Sequence, residues 1–173
     1  MTSKYHFFYD GIFSNFYPAS FLTEGQRFET SEQYFMYCKA MTFLDEESAK
    51  KILATSNPGT AKALGRKVKN FDAKTWSDVC YSIMYRACYL KFTQNPGLLN
   101  SLLAMQEYEL VEASPTDRIW GIGLSTCDPK RFDRSQWRGE NLLGKVLNEL
   151  RDKIIRGNIQ QLKQITINLK EVV

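Results

Sequence analysis

The chain has 173 residues, which suits one compact domain with a core large enough to need no disulfide or metal to stay folded. Its composition, 43% hydrophobic and 24% charged, is that of a globular protein, and the 13% aromatic content favours a well-filled core or a site that stacks planar ligands. The net charge of +4 comes from scattered lysines and arginines, which permit an anionic ligand and exclude a dense nucleic-acid-binding tail.

The first stretch, Tyr5 to Phe28, is rich in aromatics broken by Gly11, Asn15, Pro18 and Gly25, and predicts short strands and turns. Thr30 and Gln33 have the spacing of a capping box, so a helix is expected over Ser31 to Met41. Glu46 to Ala54 predicts a second helix, and Pro58 and Gly65 bracket a short third one. Thr75 opens the clearest helix, whose Val79, Cys80, Ile83, Met84, Ala87, Cys88 and Leu90 follow the spacing of one buried face up to Asn95-Pro96-Gly97. A short Leu-rich helix follows. Brief strands are expected over Glu109 to Ala113 and Ile119 to Ile122, then an ordered surface loop over Gly123 to Arg138. Glu140 to Arg156 predicts an amphipathic helix closed by Gly157. Ile165, Ile167 and Leu169 alternate, so residues 158–173 are expected as a strand-like tail beside a domain of residues 1–157. The sum is a helix-dominated α+β single domain with a small sheet.

Four cysteines (Cys38, Cys80, Cys88, Cys127) form no CxxC pair and His6 is the single histidine, so no metal or other cofactor is expected and the thiols read as reduced and structural. Met1 to Asp10 is too short and polar for a signal peptide, and no apolar run approaches the roughly 18 residues of a membrane span. A cytoplasmic protein is the expectation. With one histidine and no GxSxG, metal-binding or phosphate-loop motif, any acid–base chemistry falls to carboxylates, lysines, tyrosines or thiols.

Four constellations have that character. Glu32, Phe35, Met36 and Lys39 share one helix face, placing a carboxylate and an amine two turns apart; the face is either a solvated edge or one side of a pocket. In Ser114 to Gly123, Asp117 and Arg118 precede Trp120 and Gly121, where a ligand can approach the backbone and stack, or where a tryptophan simply packs. Ser14-Asn15-Phe16 offers a turn, or an amide that reads a sugar or base edge. Gly139 to Gly144 leads through Asn141 into a helix N-terminus, which caps itself or binds an anion.

Taken in order, these segments resemble the NADAR, or YbiA-like, family from about Phe7 to Ile155. The matching pieces are Phe13 to Phe16, Gly25 to Phe28, Ser31 to Phe35 with Lys39, Ala61 to Arg66, Trp76, Lys91-Phe92, Leu110 to Pro115 with Asp117, Trp120-Gly121 and Asn141 to Gly144. The family motif carries histidine where this chain has Gln33. The resemblance implies the YbiA-like fold and an N-glycosidase that hydrolyses a ribose C1–N bond. It implies Glu32, Asp117, Lys39 and Trp76 as catalytic residues, with Lys39 able to attack a ring-opened sugar as a Schiff base. It also implies substrate contacts from Ser14, Asn15, Phe16, Tyr34, Trp120 and Gly121, and phosphate contacts from Arg66, Arg118 and the helix start at Asn141. Some members look like removers of ADP-ribose from guanine bases in nucleic acid, a few as antitoxins with a partner ADP-ribosyltransferase toxin. Others look like hydrolases of phosphoribosyl-amine intermediates of riboflavin biosynthesis. A non-catalytic ADP-ribose or nucleotide-binding module is the alternative of another class.

Overall fold

A computed structural model describes the backbone of residues 4–170 and the side chains of residues 4–158. Among the described residues there are six α-helices, a two-stranded parallel sheet and a separate two-stranded hairpin. Strand β1 (Lys4–Phe8) pairs in parallel with β4 (Tyr108–Glu112), Phe8 opposite Glu112. The antiparallel hairpin joins β2 (Phe21–Thr23) to β3 (Gln26–Phe28). The helices are α1 (Ser31–Thr42), α2 (Glu46–Leu53), α3 (Pro58–Gly65), α4 (Ala73–Thr93), α5 (Pro96–Leu103) and α6 (Leu142–Lys170). This is the helix-dominated α+β single domain expected from the sequence.

Each early helix starts where a side chain relieves its free amides. Thr30 Oγ1 accepts from the Gln33 N–H at 3.1 Å, Asp45 Oδ1 from Ser48, Asn57 Oδ1 from Thr60, and Asp72 Oδ1 from Thr75. Thr75, expected to open the long helix, is therefore its third residue. The core lies where α1 packs on α2, α3 and α4, and where α4 packs on α6. Phe28, Phe92, Met84, Leu102, Leu143 and Leu147 are fully enclosed there. Each such side chain contributes about 1.5–3 kcal/mol of burial. The outer edge of β4 is closed by amides from α6. Asn141 Oδ1 accepts from the Glu112 N–H and Asn148 Oδ1 from the Leu110 N–H, while both side-chain NH2 groups donate to the Leu110 carbonyl. Gly144 permits this approach, because a Cβ there would stand 2.3 Å from the Leu110 carbonyl oxygen.

Two expectations fail. Ile119 to Ile122 is not a strand: Asp117 Oδ1 accepts from the N–H groups of both Ile119 and Trp120, and the carbonyls of Ile119, Trp120 and Gly121 accept from the start of α6. With those groups spent, only Ile122 reaches β4, donating to the Glu112 carbonyl at 2.9 Å. The tail is not a strand either, since α6 runs through Gly157 to Lys170. Ile159, Leu162, Ile165 and Leu169 have three-and-four spacing, a helical period that overlies the alternation at Ile165, Ile167 and Leu169. Glu171 to Val173 lie outside the described residues.

Candidate active site

Three carboxyl groups from three parts of the chain meet beside the N-terminal end of α1. Glu32 comes from the first turn of that helix and is 5% exposed. Its backbone N–H donates to the Asn15 carbonyl at 3.1 Å, which docks the Ser14-Asn15-Phe16 turn onto the helix. Burial pushes its pKa up to about 7, with Lys62 and Arg66 pulling down and Asp117 pushing up. Glu112 ends β4, and burial pushes it further, to about 8, with Asp117 and Glu32 adding to the rise and Lys62 opposing it. Glu112 Oε2 is buried without a hydrogen-bond partner. Asp117 is fixed by its turn: Oδ1 accepts the two N–H bonds from Ile119 and Trp120, and Oδ2 lies 3.9 Å from Lys62 Nζ. Lys62 reaches in from α3 with its ammonium 5.5 Å from the Phe16 ring centre. The close turn that carries Asp117 requires Gly121, since a Cβ there would meet Ser114, the Glu112 carbonyl and the Asp117 carbonyl at 2.9–3.1 Å.

Two adjoining cavities surround this cluster. The inner one, about 100 Å³, is bounded by Asn15, Glu32, Phe35, Met36 and Trp120. The outer one, about 570 Å³, opens past Ser14, Arg66, Ser114 and Arg118. Phe16, Lys62, Glu112 and Asp117 line both, so the carboxylates stand at the neck. Lys62, Arg66 and Arg118 line the outer cavity together with Asp10, Glu112 and Asp117.

Of the residues expected from the sequence, the structure brings Ser14, Asn15, Phe16, Glu32, Arg66, Asp117, Arg118 and Trp120 to one or other cavity. It does not bring Lys39 there. Lys39 lies two turns further along α1, with its ammonium 4.3 Å from the Phe71 ring centre and 5.7 Å from Trp76, and burial lowers its pKa. Trp76 stands behind the inner cavity, its ring 5.0 Å from Phe35, which in turn meets Trp120 at 5.2 Å. Tyr34 is a core residue, because its position on α1 turns it away from Glu32 and between Phe21 and Phe28. Gly121 and Asn141 serve the backbone, Gly121 by clearing the turn and Asn141 by bonding β4. Nor does the start of α6 offer free amides to an anion: the N–H groups of Glu140, Asn141, Leu142 and Leu143 donate to carbonyls between Arg118 and Gly121. Gln33 also faces away, donating to the Ile52 and Thr55 carbonyls and accepting from the Glu29 N–H.

Two members of the cluster, Lys62 and Glu112, were not singled out from the sequence. Lys62 on α3 lies four residues before Arg66, the C-cap of that helix, a spacing that places both cations on one face. Glu112 sits among the apolar residues of a strand end, where a carboxylate is itself the signal. Among the described residues no group of three or more His, Cys, Asp or Glu side chains is arranged to hold a metal ion, and no helix is long and apolar enough to cross a membrane.

The same architecture occurs in proteins of known structure and sequence. The NMR structure of the Escherichia coli protein YbiA superposes with a TM-score of 0.75 at 32% identity, covering 92% of this chain and 89% of that one. The protein named N-glycosidase R617 of Acanthamoeba polyphaga mimivirus is 39% identical over 165 residues, 88% of this chain and 97% of its own length. A Vibrio vulnificus protein named riboflavin biosynthesis protein VVA0006 is 30% identical over 144 residues; the match covers 83% of this chain but 35% of that longer protein. The NADAR domain model matches residues 6–155, a span that includes both cavities and every carboxylate at their neck. The chain belongs to the NADAR domain family.

Proposed function

We propose that this protein is an N-glycosidase that hydrolyses a ribose C1–N bond. The observation that carries the reading is the trio of Glu32 in the inner cavity with Glu112 and Asp117 at its neck, Glu32 and Glu112 having pKa values pushed to about 7 and about 8. Cleaving a C1–N bond builds positive charge on the sugar and leaves a nitrogen that must gain a proton. A carboxyl that keeps its proton near neutral pH, beside a second carboxylate, meets both needs. Glu32 or Glu112 gives its proton to the departing nitrogen. Asp117, held by two N–H donors, presents negative charge to the developing cation. Water then adds at C1 and returns a proton to the emptied carboxylate, so the site is restored. The reading draws support from the relatives named N-glycosidase YbiA and N-glycosidase R617.

A lysine route is also available, and the lysine in reach is Lys62, not Lys39. On a sugar ring-opened to the C1 imine, an amine at that place can add to C1, expel the leaving nitrogen as an amine and form its own Schiff base, which water then hydrolyses to free the lysine and the sugar aldehyde.

For the substrate we favour ADP-ribose attached to a guanine base in nucleic acid, because the outer cavity is several times the volume of the inner one and Lys62, Arg66 and Arg118 line it. A second reading, phosphoribosyl-amine intermediates of riboflavin synthesis, is favoured by the name of the Vibrio relative. The deciding experiment offers the purified protein both substrates side by side, with Glu32→Ala as control. ADP-ribose release from DNA alone supports the first reading, and cleavage of the small intermediates alone supports the second. Cleavage of neither, with nucleotide binding retained, would make this a binding module.

A further inference from the structure

Lys91 is a buried charge that neither cavity uses. It lies on α4 at 1% exposure and lines neither the inner nor the outer cavity. Burial lowers its pKa to about 8, opposed only by the Cys88 thiol one turn back on the same helix. Among the described residues its ammonium has one hydrogen-bond acceptor, the Ser14 carbonyl at 2.8 Å. It otherwise meets aromatic rings, with the centres of Tyr17 and Phe92 at 5.6 and 5.2 Å. A lysine is almost never fully enclosed without a charged partner, because taking its charge out of water costs more than one neutral acceptor returns. A methionine would fill the same space without that cost. What methionine lacks is a directed hydrogen bond to a backbone carbonyl.

That carbonyl belongs to the turn that enters the site. Ser14 lines the outer cavity, Asn15 the inner one and Phe16 both. Two helices take successive carbonyls of this turn: α4 holds Ser14 through Lys91, and α1 holds Asn15 through the Glu32 N–H at 3.1 Å. Within the turn the Tyr17 N–H also donates to the Ser14 carbonyl, at 3.2 Å. The end of α4 grips the chain beyond the turn as well. Asn95 Nδ2 donates to the Ser20 carbonyl, and the Gln94 amide exchanges two bonds with the Leu22 backbone. Of these grips, Lys91 alone reaches the turn itself. We infer that Lys91 is a positioning residue for C1–N cleavage: its ammonium holds the Ser14-Asn15-Phe16 turn against α1, so that the turn and Glu32 keep their places at the two cavities. The inference rests on the N-glycosidase reading. Lys91 touches no substrate and acts only through the Ser14 carbonyl.

The test compares Lys91→Met and Lys91→Gln with Asn95→Ala, which loosens the same helix end without touching the turn. Residue-resolved amide hydrogen exchange reads the turn directly. The Glu32 N–H lies in the first turn of α1, where no helical carbonyl can accept it, so its protection reports on the Asn15 carbonyl. In both Lys91 variants the Glu32 and Tyr17 amides should exchange about tenfold faster or more, while amides in the middle of α4 and α6 keep their rates. Melting temperature should stay equal or rise, since a desolvated charge is gone. On whichever of the two substrates the unaltered protein cleaves, kcat should fall about tenfold or more, as misplacement of a site by about 1 Å can cost 100-fold. Asn95→Ala should show the opposite signature, a lower melting temperature with kcat within about twofold. Unchanged exchange at Glu32 and Tyr17, unchanged kcat in the Lys91 variants, an equal loss of kcat in Asn95→Ala, or failure of both Lys91 variants to fold each overturns the inference. If the unaltered protein cleaves no C1–N bond, the N-glycosidase reading falls, and the exchange rates still decide whether Lys91 holds the turn.

Discussion

Glu32 and Gln33 are neighbours on α1 and equally buried, at 5% and 3% exposure, yet their surroundings are opposite. Gln33 has its polar atoms matched: the amide nitrogen donates to the Thr55 carbonyl at 2.8 Å and the Ile52 carbonyl at 3.1 Å, and the oxygen accepts from the Glu29 N–H at 2.8 Å. Glu32 sits in a cavity among two further carboxyls, and burial lifts its pKa toward neutrality. One face of the helix spends a buried polar group on holding α2 to the strand before α1. The other face holds a buried acid at a cost in stability, as sites for chemistry do.

The largest expected effect breaks this pair apart. Glu32→Gln should cut turnover by about 100-fold or more, as for a lost acid–base group, and leave the melting temperature equal or higher, because a desolvated carboxyl is gone. Gln33→Ala should do the reverse. It strands the Glu29 N–H and two carbonyls, costing about 1–3 kcal/mol, while turnover of the folded protein stays near that of the unaltered chain. Melting curves and initial rates on the same preparations decide. A Glu32→Gln variant with unchanged rate removes it from the site.

The two lysines give a second, smaller contrast. Lys62 stands at the neck and lowers the pKa of both Glu32 and Glu112. Lys62→Met should therefore move the ionisation seen in the pH profile of kcat/KM upward, by about one unit. Lys39, on its ring platform of Phe71 and Trp76, should tolerate Lys39→Arg with activity within about twofold, since the new side chain keeps the charge over the rings. If Lys39→Arg abolishes cleavage while Lys62→Met leaves both rate and profile unchanged, the covalent route belongs to Lys39 and the assignment of the two lysines is reversed.

This contrast also shows what the sequence makes legible. The four-residue helical face of Glu32, Phe35, Met36 and Lys39 is visible as a pattern, and three of its members line the inner cavity. The fourth does not, because spacing defines a face and says nothing about where along that face the cavity ends. Thr30, Pro58 and Asn95-Pro96-Gly97 mark helix ends through local chemistry, so α1, α3 and the end of α4 follow directly. Asp117 was legible as a residue type beside a turn, but not its bond to two N–H groups, which makes an irregular loop of the Trp120 segment. Glu112 and Lys62 come from elements fifty residues apart in the chain, and only the tertiary fold brings both to the lining of one cavity. The tail was ambiguous in a different way, since two periods coexist in the same residues and the helical one wins.

The last contrast concerns Glu112 and stability. Its ordinary pKa of 4.5 is raised to about 8 in the fold. Between those values the unfolded chain loses the proton while the folded chain keeps it, so the unfolded state binds fewer protons and stability falls as pH rises. The loss begins above the unfolded pKa and is complete once pH passes the folded one. Glu112→Gln removes that dependence. The melting temperature of the variant minus that of the unaltered protein should be least near pH 4.5 and grow steadily to pH 8. Carboxylates outside the cluster cancel in the difference, including Asp45 and Glu47, whose lowered pKa values of about 2 place their effect at more acid pH. A difference that stays flat across this range would mean that Glu112 is ionised in the fold. It would then act as a fixed negative charge beside C1, and the proton for the leaving nitrogen would have to come from Glu32.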